Sequence, residues 1–249
     1  MENSIKFLFS GDSALVIEFG NEISVDINKK IRKMMDSIKK ENIDGIIELV
    51  PTYCSLLVNY DVLKVDYQNL VEKLKTLLND DNETVEDEEV TLIEIPTLYN
   101  DECGPDLSYV AEYNKLSKEE VIKIHTGTDY LVYMLGFMPG FTYLGGMSEK
   151  IATPRLESPR LQIYPGSVGI AGKQTGMYPS MSPGGWRIIG RTPLKLYNPD
   201  SETPVYISSG DYIRYVSISE EEYNNILKKV ENNEYKLNIH RVKRGELNA

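Results

Sequence analysis

A charge-free run of nineteen residues, Tyr130–Ser148 (YLVYMLGFMPGFTYLGGMS), sits between Asp129 and Glu149. Its length approaches that of a membrane-crossing helix. Pro139 and the glycines Gly136, Gly140, Gly145 and Gly146 interrupt it, however, and hydrocarbon tolerates no exposed broken backbone. The run is therefore read as a buried strand leading into a tight turn, where MPGF can bring backbone amides close to a ligand. Such a segment needs a protein interior around it.

The 249 residues suffice for one large domain or two small ones. SALVIEF (13–19) has the β-branched and aromatic content of a strand. Ile23, Ile27, Ile31, Met34, Met35 and Ile38 then recur at helical spacing. IIELV (46–50) and YCSLLVNY (53–60) read as paired strands around Pro51. A second helix follows, N-capped by Asp66, with Tyr67, Leu70, Val71, Leu74, Leu77 and Leu78 inward. With VTLIEIP (90–96) as a further strand and a leading strand at Ile5–Phe9, the order is β-α-β-β-α-β, the split pattern of ferredoxin-like domains. The acidic stretch DDNETVEDEE (80–89) reads as a linker. The fold class expected is α+β, with a small ferredoxin-like domain over 1–89 and a second domain over 90–249.

The second part begins with short helices around Asp106–Asn114 and Lys118–Ile124, the latter opened by a capping box of Ser117 and Glu120. Nine of the twelve prolines then fall in Pro139–Pro204, and no long helical period survives. Short runs (YLVYML, LQIYPGSVGIA, WRIIG, LKLY, PVYI) alternate with turn residues, the pattern of a compact barrel or sandwich. A last helix carries the capping box Ser219/Glu222, with Tyr223, Ile226, Leu227 and Val230 on one face.

Several chemistries are excluded. Cys54 and Cys103 form no CxxC and have no histidine nearby, so neither a disulfide scaffold nor a zinc site is expected. The first ten residues have no signal-peptide pattern, and with the reduced cysteines this points to the cytoplasm. A net charge of -11 disfavours nucleic acid and anionic membrane as partners. GSVGIAGKQTG (166–176) resembles a phosphate loop, but Gly166 is one residue too early and Gln174 stands where Ser or Thr would hold magnesium. From Lys150 to Lys195 seven basic residues face Glu157 alone, a local +6. Scattered surface charge and a site for a carboxylate or phosphate are both compatible with it.

The stretches SGDSALVIEFG (10–20), GPDLSYVAEYNKLSKEEVIKIH (104–125), HTGTDYLVYMLGFMPGFTYLGG (125–146) and PRLESPRLQIYPGSVGIAGKQTGMYPSMSPGGWRIIGRTPLKLYNP (154–199) closely resemble the family of the 5-oxoprolinase B subunit, which includes KipI-like proteins and allophanate hydrolase subunit 1. The resemblance runs over essentially the whole chain. It implies a ferredoxin-like N-terminal domain and a cyclophilin-like β-barrel. It implies partners, the A and C subunits of 5-oxoprolinase, and a complex that uses ATP with magnesium to open 5-oxo-L-proline to L-glutamate. This chain alone is expected to bind no cofactor or metal and to be inactive. Relatives of two other kinds imply alternatives: inhibition of a sporulation histidine kinase, or hydrolysis of allophanate or a urea-derived amide.

The family motif falls here on His125, Phe137, Phe141, Arg155, Arg160, Gln174, Tyr178 and the SPGGW turn ending in Trp186. His125 is the expected general acid or base, because imidazole titrates near working pH. A histidine in the last turn of a helix is, however, favoured by the helix dipole alone. Arg155 and Arg160, each preceded by proline, are expected to clamp a carboxylate. Gln174 and Tyr178 are expected to orient an amide by hydrogen bonds. Phe137 and Trp186 complete the expected substrate contacts, although a sole tryptophan also suits plain packing.

Overall fold

The computed structural model describes residues 5–78 and 89–248, and the chain divides into two compact units, Met1–Val85 and Glu86–Ala249. Apart from Glu89, the acidic linker stretch lies outside the described residues. No helix among the described residues is long and apolar enough to cross a membrane.

In the first unit, β1 (Lys6–Phe9) and β2 (Ala14–Glu18) form a hairpin, followed by α1 (Val25–Glu41), β3 (Ile46–Pro51), β4 (Ser55–Tyr60) and α2 (Tyr67–Leu77). The helices start where the sequence places caps. The Ser24 side chain accepts from Asp26 N at the head of α1, and Asp66 accepts from Asn69 N at the head of α2. Ile27, Ile31, Met34 and Ile38 of α1 meet Leu70 and Leu74 of α2 over Leu15, Ile17, Leu56 and Val58 of the sheet. The four-stranded sheet is antiparallel, in the order β1-β2-β4-β3. The expected β-α-β-β-α-β order needs a correction here. The strand at 90–96 pairs in the second unit, and the leading strand β1 takes the edge beside β2.

The second unit holds β5 (Glu89–Thr97), α3 (Leu107–Tyr113), α4 (Lys118–Thr126), β6 (Asp129–Leu135), β7 (Thr142–Gly145) and β8 (Arg160–Ile163). After these come β9 (Ser167–Ala171), β10 (Gln174–Met177), β11 (Ser182–Gly184), β12 (Arg187–Arg191), β13 (Tyr212–Ser217), α5 (Glu220–Glu231) and β14 (Ile239–Lys243). Both expected capping boxes form, at Ser117/Glu120 and Ser219/Glu222. The strands make sheets of five (β14-β5-β13-β6-β7), three (β10-β9-β12) and two (β11-β8), and none of these sheets closes on itself. The segments LKLY and PVYI, expected as strands, are irregular. Pro193, Pro199 and Pro204 bound them, and proline offers no amide to a ladder. They still bury Leu194, Leu196 and Ile207 in the core.

The charge-free run folds as its composition requires. Tyr130, Leu131, Val132 and Tyr133 of β6 are buried, and the chain then turns through 136–141 into β7. At the start of β6, Asp129 takes a two-pronged bond from Arg214, Nε to Oδ1 at 2.6 Å and Nη2 to Oδ2 at 2.7 Å. This fastens β6 to β13 at the point where charge gives way to the apolar run.

Candidate functional site

The turn after β6 is drawn tight by three backbone bonds. Gly136 N–H donates to Phe141 O, Met138 N–H to Gly136 O at 2.7 Å, and Phe141 N–H to Met138 O. The second of these spans only two residues and encloses Phe137 at a φ of 63°. A three-residue turn with positive φ at its centre is rare and strained for a residue with a side chain. Its result is to hold the Phe137 ring outward, 69% exposed. Gly140 completes the turn at a φ of 81°, where a Cβ would meet Leu196 O at 3.0 Å. Only glycine allows the turn to lie so close to the 194–198 segment.

Beneath Phe137 lies an aromatic cluster with Phe141 at its hub. Phe141 meets Phe137, Tyr178 and Trp186 edge-on at 5.6 Å each, and Tyr143 at 5.2 Å. Edge-to-face packing at these distances is the favoured aromatic geometry and fixes each ring's orientation. Trp186 and Tyr178 are largely buried in the cluster with Ile163 and Ile188. Burial pushes the Tyr178 phenol up to about 12, while the positive charge of Arg155 and Arg160 works in the other direction. At neutral pH it is an uncharged donor.

Three arginines border the cluster, and their surroundings differ. Arg160 Nη2 donates to Asp106 Oδ1 at 3.0 Å, its Nη1 lies 2.9 Å from Oδ2, and Nη1 also reaches Trp186 O at 3.4 Å. Arg187 stacks over Tyr109 at 3.7 Å, donates to Pro154 O, and comes within 3.8 Å of the same carboxylate. Asp106 itself is buried and is joined to β12 by its backbone and its side chain. Ile188 N–H donates to Oδ2 at 2.7 Å, and Asp106 N–H donates to Ile188 O at 2.8 Å. Gly104 makes this docking feasible, since a Cβ there would come 2.1 Å from Ile189 O. Arg155, in contrast, is exposed, with its guanidinium 6.0 Å from the Trp186 ring centre. Of the two arginines expected to clamp a carboxylate, Arg160 is already held by an internal one, while Arg155 faces solvent near Trp186.

Gln174 is half-buried at the first position of β10, opposite Ala171. Its neighbour Thr175 leads to His125, in the last turn of α4. The imidazole is 0% exposed. Tyr99 Oη lies 2.8 Å from Nδ1 and Thr175 Oγ1 lies 2.8 Å from Nε2. Thr175 Oγ1 also donates to Gly169 O at 3.1 Å. That bond uses the only hydroxyl hydrogen, so Nε2 carries the proton donated to Thr175 and Nδ1 accepts from Tyr99. Tyr130 and Tyr215 pack against the ring at 5.5 and 4.4 Å. Burial pushes the imidazole pKa down to about 3, so the ring is neutral across the physiological range. His125 thus lies in the core of the unit, and what it touches in the expected site is β10, the strand that begins at Gln174 and ends one residue before Tyr178.

The structure gathers Phe137, Arg155, Arg160, Tyr178 and Trp186 around one aromatic cluster. His125 is instead surrounded by Tyr99, Tyr130, Thr175 and Tyr215. Sequence reasoning missed Asp106, Tyr109 and Arg187. In the sequence the arginine shows only as one charge of the positive patch, and the aspartate only as the start of a helix. Among the described residues, no group of three His, Cys, Asp or Glu side chains could hold a metal ion.

The sequence matches the family described as "Carboxyltransferase domain, subdomain C and D" over residues 5–207. It is 46% identical over 223 residues to the B subunit of 5-oxoprolinase from Bacillus subtilis, covering 86% of this chain and 92% of that protein. The corresponding B subunit from Escherichia coli O157:H7 is 36% identical over 209 residues, covering 83% of this chain and 93% of the relative. A crystal structure of an uncharacterised protein from Pyrococcus horikoshii is 50% identical, with a TM-score of 0.52, covering 88% of this chain and all of that one.

Proposed function

We propose, for a chain that belongs to the family of the carboxyltransferase domain, subdomain C and D, that it works as the B subunit of a 5-oxoprolinase. The observation that carries this reading is its match to two relatives of that name, each over more than nine tenths of the relative's length. The reaction is the opening of 5-oxo-L-proline to L-glutamate, carried out together with the A and C subunits. An unstrained five-membered lactam is a poor electrophile, and ATP with magnesium would supply the activation it lacks. The GSVGIAGKQTG segment departs from phosphate-loop spacing, which supports a nucleotide held outside this chain. The nucleotide is assigned to the assembled complex. At the level of fold, the four-stranded sheet with its two helices supports a ferredoxin-like first unit, and the packed small sheets of the second support a cyclophilin-like one.

Within that complex this chain contributes a substrate-facing surface. Arg155 presents its guanidinium for the substrate carboxylate, with Trp186 beneath it as a rigid platform. Phe137 offers an apolar edge to the ring. Gln174 orients the amide, and Tyr178 supports Trp186 from behind. Arg160, tied to Asp106, holds the Trp186 backbone in place. His125 acts through Thr175 on the position of β10.

Two measurements test this. The pure chain should hydrolyse neither ATP nor 5-oxoproline, whereas co-expression with the A and C subunits should give a co-eluting complex with 5-oxoproline-dependent ATP hydrolysis. ATP hydrolysis indifferent to 5-oxoproline would contradict the reading. In the active complex, Arg155→Lys keeps the charge and loses the planar fork. It should lower kcat/KM about ten- to a hundredfold, while Arg160→Lys should act mainly on stability. Equal kinetics for Arg155→Lys and wild type would remove Arg155 from the site.

A further inference from the structure

The exposed side chain of Arg155 stands on an irregular segment, Thr153–Leu156. Such a segment places a side chain reproducibly only where its backbone is fastened by its surroundings. This one is fastened on both sides of Arg155. Before it, Thr153 exchanges two backbone bonds with Gly172, at 3.1 and 2.8 Å. After it, Leu156 N–H donates to Gly185 O at 2.7 Å. Between these lies Pro154, which has no N–H, so its carbonyl is the one backbone group by which it can be held. That carbonyl accepts from Arg187 Nε at 3.3 Å.

Arg187 can hold it because its own freedom has been removed. Its backbone stands in β12, opposite Ile170 of β9. Its guanidinium lies 3.7 Å over the Tyr109 ring, which sets the plane of the fork. Asp106 Oδ1, 3.8 Å from Nη1, draws the charged end inward. Tyr109 is steadied in turn by stacking on Tyr113, with ring centres 6.1 Å apart. The largely buried Arg187 is thus engaged inside the protein, whereas Arg155 is open to solvent.

We infer that Arg187 is a positioning residue: through the Pro154 carbonyl it sets where the Arg155 guanidinium stands near Trp186, with Tyr109 holding its plane. The inference rests on the reading of Arg155 as the group that meets the substrate carboxylate. Lysine cannot replace arginine here. An ammonium has no flat face for Tyr109 and no planar fork to serve the carboxylate and the carbonyl together.

Two measurements test this. In the full chain, Arg187→Lys should speed amide exchange at Leu156 about tenfold, while Val58 of β4 keeps its rate. In the assembled complex, Arg187→Lys should raise KM for 5-oxoproline about three- to thirtyfold, with kcat changed less than about threefold. Tyr109→Ser should act in the same way, and Tyr109→Phe, which keeps the ring, should recover most of that loss. In an Arg155→Met background Arg187→Lys should add less than about twofold, because the group it places is gone. An effect of Arg187→Lys as large without Arg155 as with it would overturn the inference, as would an unchanged KM or an unchanged exchange rate at Leu156. Wild-type kinetics in Arg155→Met would instead overturn the reading of Arg155, and with it this role for Arg187.

Discussion

Asp106→Ala should lower the unfolding free energy of the second unit by about 3–5 kcal/mol, the range for breaking a buried ion pair from one side. The magnitude follows from what is left behind. Its side chain is 7% exposed, and the two arginines that face it are 32% (Arg160) and 13% (Arg187) exposed. Removing the carboxylate strands a partly buried guanidinium and takes an acceptor from Ile188 N–H. Asp106→Asn keeps the shape and one acceptor, so it should cost less than the alanine variant. Urea unfolding followed by Trp186 fluorescence reads this directly, since Arg160 contacts the Trp186 carbonyl. A midpoint unchanged in Asp106→Ala would mean that the arginines are as well served by water. The same variant should release Arg160 and lower activity in the assembled complex even where the chain remains folded.

The second large effect depends on pH. The imidazole of His125 has an ordinary pKa of 6.5 and in the folded chain is pushed down to about 3 by burial. Below pH 6.5 the unfolded chain therefore takes up a proton that the folded chain refuses, and stability is lost as pH falls from 6.5 towards 3. At pH 4 this one group should account for about 3 kcal/mol. His125→Asn should lose some stability at pH 7, where its bonds to Tyr99 and Thr175 are disturbed, and should show a shallower decline on acidification than wild type. Parallel curves for the two proteins would mean that the imidazole is reached by solvent. Kinetics of the complex separate the two roles open to this residue. A positioning role predicts a modest change in activity per folded complex, expressed partly in KM. A loss of about a hundredfold or more in kcat, with a shifted pH–rate profile, would establish proton transfer instead.

What the sequence made legible was local. The caps at Asp66, Ser117 and Ser219 are encoded within four residues, and all three form. The broken apolar run around Pro139 carries its own evidence for a buried strand and a turn. What it hid was long-range. Asp106 meets Arg160 across 54 positions and Ile188 across 82, and no periodicity or motif spacing records such a pair. The segment 90–96 looks like any strand, and nothing local says that it pairs with β13 and not with the first sheet. LKLY and PVYI have strand-like composition, but the prolines around them outweigh it. For the site, the resemblance located the right neighbourhood, yet only the packing distinguishes the exposed Arg155 from the occupied Arg160.

The pairing of β5 also bears on the order in which the chain can assemble during synthesis. Strands β1 to β4 find their partners within the first sixty residues, so the first unit can complete its sheet soon after it leaves the ribosome. The second cannot. Its strand β5 lies parallel to β13, Leu92 beside Tyr212 and Thr97 beside Ser217, and its other neighbour β14 comes later still. Both sides of an early strand thus wait for late ones, and closing so long a loop is slow. Until then both edges of β5 and the β13 side of β6 stay unpaired, and Ile93 and Ile95 have only the early part of their core, from α3 and α4, to pack on, which makes this nascent half the client a chaperone would be expected to hold.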